Sequence, residues 1–227
     1  MLNQRLQSRP LIISTILGLL LIPFLYLINS YSPLPEKAPS DYNSVILAFE
    51  FVSNDAELKE VLDPLTTEEI SDIDQLNKVD FGFMIMYGLF LISVIIKFRK
   101  LHHHDWLKYT AILTMIAVIA DLLENLQLLS LSNAYKQGIM DHQETIDRLA
   151  LFTWSKWILL ALVIAQLGYS IIMSNRYKWV GYSLFIPIVL GTSAISMKTP
   201  IIEDTFGTSI FLCFFIIWIL SLFYKKR

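Results

Sequence analysis

The stretch YTAILTMIAVIADLLENLQLLSL, residues Tyr109–Leu131, decides the fold of this chain. It is an almost unbroken apolar run, long enough to cross the ~30 Å hydrocarbon core of a bilayer as a single helix. Its two carboxylates, Asp121 and Glu124, would cost several kcal/mol at membrane depth unless they face a polar interior and find partners there. The stretch therefore predicts a transmembrane helix whose polar face is turned into a bundle.

Five further apolar blocks have similar lengths and are also predicted to span the membrane. The block before Tyr109 is short, so its span is expected to begin before Asp80, and Pro187 interrupts the fifth span, which membranes tolerate. The five blocks are Leu11–Ile28, Phe81–Ile96, Leu149–Met173, Trp179–Met197 and Phe206–Tyr224.

The composition supports the same fold class. Of 227 residues, 55% are hydrophobic and only 17% are charged, whereas about a quarter of a soluble domain is charged. The chain is thus predicted to be all-α, a six-helix transmembrane bundle with a small extracytoplasmic helical cap. A net charge of -2 without a basic stripe excludes a nucleic-acid partner, and the lone Cys213 is expected to be inert packing.

Basic residues alternate along the chain in a way that sets the orientation. Alternate segments carry Arg5 and Arg9, then Lys97, Arg99, Lys100 and Lys108, then Arg176 and Lys178, then Lys225, Lys226 and Arg227. Because cytoplasmic loops are enriched in Lys and Arg, both termini are predicted to be cytoplasmic in a multi-pass protein of the inner (plasma) membrane. The first span is long for a secretion signal and is expected to be an uncleaved anchor.

The chain divides into a first span (1–29), an acidic extracytoplasmic segment (30–79) and a five-helix bundle (80–227). In the acidic segment a Pro-rich tether precedes a short helix ending at Phe51, which Ser40 or Asp41 can cap. Asn54 or Asp55 can cap a second helix, Ala56–Leu62. The stretch TTEE at residues 66–69 is expected to open a third helix that continues into the second span.

The first cap helix is apolar on nearly every side, and Glu50 is the only charge in it. A helix of that kind is buried or membrane-associated. We expect it to fold back over the outer mouth of the bundle, with Glu50 near the polar interior. The alternative is a helix resting at the lipid interface with Glu50 turned toward water.

Asp121, Glu124 and Asn125 stand at positions i, i+3 and i+4 and therefore share one helical face. Lys156, on the next and antiparallel span, lies at the same distance from the outer boundary. The sequence therefore predicts that Lys156 lies within ion-pair reach of Asp121 or Glu124.

Each polar residue near this layer is assigned a role. Glu124 and Asp121 would ligate or accept a proton, and they are also the candidates for catalysis. Lys156 would be the counter-charge and Asn125 the hydrogen-bonding orienter. The second span places Tyr87 in the same layer and Asp80 at its outer end, where Asp80 and Glu50 would guard the mouth.

Three functions remain open from these residues. The first is a membrane protein that binds a small cation, a proton or a polar lipid head group in an outward-facing acidic pocket. The second is a membrane-embedded hydrolase or transferase acting on lipid, with Glu124 as general base. The third is a structural subunit of a larger complex, with the ionic residues holding helices together. The sequence leaves open the cofactor, any metal, the oligomeric state and whether the chain is an enzyme.

Two other clusters are interpreted as structural. Three consecutive histidines, His102 to His104, cannot all face one ion on a regular helix and are expected to form a solvated loop. Trp154 and Trp157 flank Lys156 and are expected to pack, and the alternative is that they line the pocket.

The site residues follow one another in a recognisable order, which is AFEFV at 48–52, DAELKEVL at 55–62, DFGF at 80–83 with Tyr87, DLLEN at 121–125, and Lys156. This order, covering roughly residues 45–165, resembles a family of uncharacterised bacterial polytopic membrane proteins with an FE motif, a D-F strip, a D-x-x-E-N strip and a membrane lysine. The family has no assigned activity, so the resemblance implies a shared site without implying a function.

Overall fold

The structure is a computed structural model that describes residues 2–39, 41–139, 141–175 and 177–223, with side chains from Ile13 onward. The described residues form α-helices, joined by short loops and one turn of 3-10 helix at Pro35–Lys37, and no strand. The helices are α1 (Leu2–Tyr31), α2 (Val45–Glu50), α3 (Asp55–Leu62), α4 (Thr67–His102), α5 (Leu107–Lys136), α6 (Gln143–Met173), α7 (Lys178–Ser183), α8 (Ile186–Met197) and α9 (Pro200–Phe223).

Six of the described helical segments are long and apolar enough to cross a membrane, as expected of a multi-pass membrane protein. They are α1, α4, α5, α6, the α7–α8 pair and α9. The prediction of an all-α bundle is confirmed. Most of the helices extend beyond the apolar blocks, because polar residues at the ends continue the backbone hydrogen bonding outside the hydrocarbon layer. Tyr224, the predicted end of the last span, lies outside the described residues.

The helices pack mainly against their neighbours in sequence. Helix α5 packs between α4 and α6, α1 packs against α4, and α9 packs against α8 and touches α1. We call the end of the bundle that carries α2 and α3 the cap end, and the two short helices the cap. At the opposite end the ammonium of Lys97 donates a hydrogen bond of 2.6 Å to the carbonyl of Ser221, which joins the last turns of α4 and α9.

The fifth span is divided at the position that its proline predicts. Helix α7 ends at Ser183 and α8 begins at Ile186, so Pro187 lies in the first turn of α8. Proline is tolerated there because the first N–H groups of a helix have no intrahelical partner. Gly181 lets this span approach α6 closely, since a Cβ at Gly181 would lie 2.8 Å from the carbonyl oxygen of Gly168.

The cap helices begin close to the predicted residues, with one correction. The side chain of Ser44, rather than Ser40 or Asp41, accepts a hydrogen bond from the N–H of Leu47 and caps α2. Asp41 instead adopts a positive φ of 78° in the turn before it, and Ser40 lies outside the described residues. Asn54 caps α3, as one of the two predicted alternatives.

The third predicted helix is confirmed as the start of α4. Thr66 and Glu69 form a reciprocal capping box, and the helix continues without interruption through the second span. The predicted boundary at residue 79 therefore falls inside one continuous helix.

The cap shares an apolar core with the bundle. Phe49 and Leu62 of the cap are buried together with Ile73 of α4, Leu131 of α5 and Leu149 of α6. This packing follows from the composition of the cap, because two helices of 6 and 8 residues cannot bury a core of their own. The cap is thus held on the ends of α4, α5 and α6 and does not stand free.

Polar contacts fix the cap at its other edge, against the start of α9. Tyr42 donates a hydrogen bond to Glu203, and the amide of Asn43 donates one of 2.8 Å to Asp204. Partial burial, and after it the hydrogen bond to Glu203, raises the pKa of Tyr42 well above its usual range. Tyr42 therefore stays protonated and remains a hydrogen-bond donor.

Candidate functional site

The polar face of α5 is buried in the bundle. Asp121, Glu124 and Asn125 are each at most 4% exposed. Their spacing of three and four residues places them one turn apart on one side of the helix. The prediction that these three side chains point inward together is confirmed.

Lys156 lies at the centre of this polar layer. Its ammonium contacts Glu124, lies 3.0 Å from Oε2 of Glu50 and lies 3.6 Å from Oδ1 of Asp121. Helices α5 and α6 are neighbours joined by one short loop, so residues at equal depth meet across their interface. The prediction that Lys156 lies close to Asp121 or Glu124 is confirmed, and the ammonium in fact contacts both.

Glu50 reaches this layer from the cap. It is the last residue of α2, and its carboxylate accepts a hydrogen bond of 3.1 Å from the indole N–H of Trp157 as well as the contact from Lys156. The ammonium of Lys156 also lies over the indole ring, 4.6 Å from its centroid. Glu50 is therefore turned into the bundle as predicted, while Trp157 belongs to the polar site in addition to packing.

Two residues of α4 complete the layer. The hydroxyl of Tyr87 donates a hydrogen bond of 2.7 Å to Asp121, and the amide of Asn125 donates one of 2.5 Å to Asp80. Asn125 thus orients Asp80 and not the carboxylates of its own helix. The sequence assigned Asn125 a hydrogen-bonding role without naming its partner, and that partner lies on the facing helix α4.

Glu124 is sealed behind this layer. It is 0% exposed, and the hydroxyl of Thr153 lies 2.7 Å from its Oε1 and 3.1 Å from the carbonyl oxygen of Glu50. The sequence did not single out Thr153, although it stands three residues before Lys156 on the same helical face. Glu124 therefore neutralises Lys156 from a fully buried position, while Glu50, Asp80 and Asp121 are less deeply buried than Glu124.

The site contains more acidic than basic groups. Glu50, Asp80, Asp121 and Glu124 surround Lys156, and every ion pair that the described residues give these four acids uses that one ammonium. If all were ionised, three negative charges would lack a counter-charge inside the bundle. Burying a charge without a counter-charge is strongly unfavourable. Protons or a cationic group that bind at these carboxylates would therefore be stabilising.

A cavity of about 390 Å³ opens beside the polar layer. Glu50, Asp80, Asp121, Asn125 and Lys156 lie along one part of its wall, and the rest is largely apolar. Most of the apolar wall comes from three helices, with Leu21, Ile22, Leu25 and Ile28 from α1, Phe83 and Phe90 from α4, and Ile210, Phe211, Phe214, Phe215 and Trp218 from α9. Glu124 is not part of the wall.

Two hydrogen-bond donors on the cavity wall have no partner among the described residues. The amide nitrogen of Asn77 and the indole nitrogen of Trp218 are both buried and form no hydrogen bond. Asn77 precedes Asp80 by one turn on α4 and shares its face. A buried donor without a partner is unfavourable, so an acceptor on a bound molecule would stabilise this arrangement.

The histidine tract lies at the opposite end of the bundle. It was expected to be a solvated loop, but only His103 is exposed. His102 and His104 are partly buried, and their Nδ1 atoms lie 3.0 Å and 3.1 Å from the hydroxyl of Ser170. His103 is exposed and has a φ of 58°, which turns the chain so that its two neighbours reach the same side. In the part of the chain that the structure describes, no group of three His, Cys, Asp or Glu side chains could hold a metal ion.

Comparison with known proteins adds no relative. No protein-family model, curated protein or solved structure matches this chain.

Removing one member of the buried ion cluster should destabilise the protein more than removing two. Lys156→Met leaves carboxylates without their counter-charge, which costs about 3–5 kcal/mol, whereas Lys156→Met combined with Glu124→Gln relieves part of that cost. We expect the double variant to melt at a higher temperature than the single variant in detergent. Arg148→Met, which removes an exposed ion pair with Glu144, is the control and should change the melting temperature little. A double variant that melts no higher than Lys156→Met would show that Lys156 and Glu124 are not coupled.

Proposed function

We propose that this protein binds one amphipathic molecule, with its hydrocarbon chain in the cavity and its polar head group against the ion cluster around Lys156. The observation that carries the proposal is the combination of a mostly apolar cavity with a polar wall made by Glu50, Asp80 and Asp121. Small-molecule sites have this construction, in which apolar surface supplies affinity and a few polar groups fix orientation.

The size of the cavity supports one ligand of this kind. Its volume of about 390 Å³ lies within the ~300–1,000 Å³ that small-molecule pockets occupy. Its aromatic wall from α9 and its aliphatic wall from α1 give an alkyl chain contacts on both sides. Burying apolar chain surface contributes about 25 cal/mol per Å².

The position of the cavity supports entry from the lipid. Ile22 and Leu25 on α1, and Phe211 and Phe215 on α9, line the cavity and are also exposed on the outer surface of the bundle. Closer to the opposite end α1 and α9 touch, because a Cβ at Gly18 would lie 2.1 Å from the ring of Trp218. The exposed lining residues lie on the cap side of that contact, so we propose that a hydrocarbon chain enters from the bilayer between α1 and α9 at this level.

A small metal cation is a weaker candidate for the ligand. Three of the four carboxylates already contact the ammonium of Lys156, which occupies the place between them that a bound cation would take. A head group that adds to this arrangement without displacing Lys156 fits the geometry better.

If the protein is an enzyme, Glu124 is not the general base that the structure favours. A general base must lie within hydrogen-bond reach of the group that it deprotonates, and Glu124 is enclosed by Lys156 and Thr153. Three carboxylates lie on the cavity wall. Glu50 accepts hydrogen bonds from Lys156 and Trp157, whereas Asp121 is held by Tyr87 and Asp80 by Asn125. A hydrolase or transferase reaction in this cavity would therefore use Asp80 or Asp121, with Glu124 as a supporting group. We also propose, from the order of its motifs, that this chain belongs to the bacterial family that it resembles. The other members would then have the same site.

Retention of a ligand can be tested by filling the cavity. Leu25→Trp should fill the cavity and lower the amount of co-purified amphiphile about tenfold or more, because the added ring occupies the position of the chain. Leu20→Trp is the matched control, since Leu20 is on the same helix, is 45% exposed against 43% for Leu25, and does not line the cavity. Mass spectrometry of protein purified in detergent measures the bound molecules. If the wild-type chain retains no molecule that Leu25→Trp lacks, the proposal is wrong.

We further propose that the cap end faces away from the cytoplasm, in the inner membrane of a bacterium. Lys97, Arg99, Lys100 and Lys108 lie around the α4–α5 loop at the opposite end, and an excess of Lys and Arg in a loop favours the cytoplasmic side.

Cysteine labelling tests this orientation in intact cells, in a Cys213→Ser background. Glu60→Cys on α3 and His103→Cys in the α4–α5 loop both replace exposed side chains. We expect a membrane-impermeant maleimide to label Glu60→Cys in intact cells and His103→Cys only after the cells are permeabilised. The reverse pattern would contradict the orientation.

A further inference from the structure

Three features of the cavity wall bear on the chemistry of the head group. They are the excess of carboxylates over cations, the unused hydrogen-bonding capacity of Asp80, and the unpaired amide of Asn77. Each is independent of the apolar wall on which the binding proposal rests.

The charge imbalance favours a cationic head group. Glu50, Asp121 and Glu124 are the acids that contact the Lys156 ammonium, whereas Asp80 makes no ion pair among the described residues. Its one hydrogen bond there, from Asn125, uses a single oxygen, Oδ2. Asp80 therefore presents a carboxylate oxygen to the cavity that an ammonium group can pair with.

An anionic head group is disfavoured by the same residues. A phosphate or carboxylate in the cavity would lie beside Asp80, Asp121 and Glu50. Lys156, which could otherwise attract it, has its positive charge shared among three carboxylates. Like charges this close in a medium of low dielectric constant repel strongly.

The unpaired amide of Asn77 favours a ligand that carries a hydrogen-bond acceptor. Its side chain is 2% exposed, its amide nitrogen has no partner among the described residues, and it lines the cavity one helical turn from Asp80. An oxygen on the ligand close to the cationic group would satisfy this donor. The arrangement therefore fits an ammonium group with a neighbouring hydroxyl group.

From these features we infer that the cavity selects long-chain amines, and among them amino alcohols, with the ammonium at Asp80 and the hydroxyl oxygen at Asn77. This inference rests on the proposed function, because it assumes that the apolar part of the cavity holds an alkyl chain. It assigns Asp80 and Asn77 as the residues that determine specificity for the head group.

Four probes with the same alkyl chain test the inference: N-dodecylethanolamine, dodecylamine, dodecanol and dodecanoate. Binding to delipidated protein in a nonionic detergent is measured by native mass spectrometry. We expect the two amines to bind about tenfold or more tightly than dodecanol, because hydrogen bonds to charged groups are stronger than those between neutral groups. Dodecanoate should bind most weakly, and N-dodecylethanolamine should bind more tightly than dodecylamine.

Two variants assign the selectivity to its residues. Asp80→Asn should remove the preference for amines over dodecanol, and Asn77→Leu should remove the preference for N-dodecylethanolamine over dodecylamine. Both should keep the fold, since the first removes an uncompensated acid and the second an unpaired donor. Asp72→Asn makes the same change of charge as Asp80→Asn about two turns earlier on α4, outside the cavity wall, and should leave all four affinities unchanged.

The outcomes separate this inference from the binding proposal. If none of the four probes binds, the proposed function fails together with the inference. If all four bind with similar affinity, the proposed function stands and the preference for amines is wrong. An amine preference that survives Asp80→Asn would also overturn the assignment to Asp80.

Discussion

The ammonium of Lys156 is buried inside a helical bundle, where it must be neutralised by carboxylates at short range because water does not solvate it. The three partners that do so come from two separate parts of the chain, Glu50 from the cap and Asp121 and Glu124 from α5. Neutralising this one charge therefore requires that α5 and α6 align in depth and that α2 lie on the bundle with its last residue turned inward.

The same constraint explains why the cap lies where it does. The apolar residues of α2 and α3 pack on the cap ends of α4, α5 and α6. This hydrophobic packing holds the cap on the bundle but does not by itself fix its orientation. The contact of Glu50 with Lys156 and Trp157 adds direction, since it fixes which residue of α2 faces the interior. Tyr42 and Asn43 then fix the other edge of the cap against Glu203 and Asp204 of α9. The cap thus covers the polar layer, while exposed residues of α1 and α9 line the cavity beside it.

The sequence predicted the features that depend on short-range periodicity. The inward face of Asp121, Glu124 and Asn125 follows from helical spacing, and their meeting with Lys156 follows from counting residues along two adjacent antiparallel helices. The start of a helix at residues 66–69 and the break at Pro187 are likewise local.

Features that depend on contacts between distant segments could not be predicted in this way. The pairing of Tyr42 with Glu203 joins the cap to the last span, and no local pattern links them. An acidic pocket was predicted, but its apolar part was not, because that space depends on how closely α1 and α9 approach, which the Gly18–Trp218 contact limits. The partner of Asn125 could not be named either, since the rotation of α4 against α5 decides which side chains meet.

The central claim is that a buried ion cluster forms the polar end of a cavity that holds an amphipathic molecule. An experimental density map of the protein in a lipid nanodisc tests this claim most directly. The account predicts an elongated density between α1 and α9 that ends beside Asp80 and Asp121, with Lys156 in contact with Glu124. A map in which this space is closed by the surrounding side chains, or in which Lys156 lies beyond ion-pair distance from Glu50, Asp121 and Glu124, would contradict it.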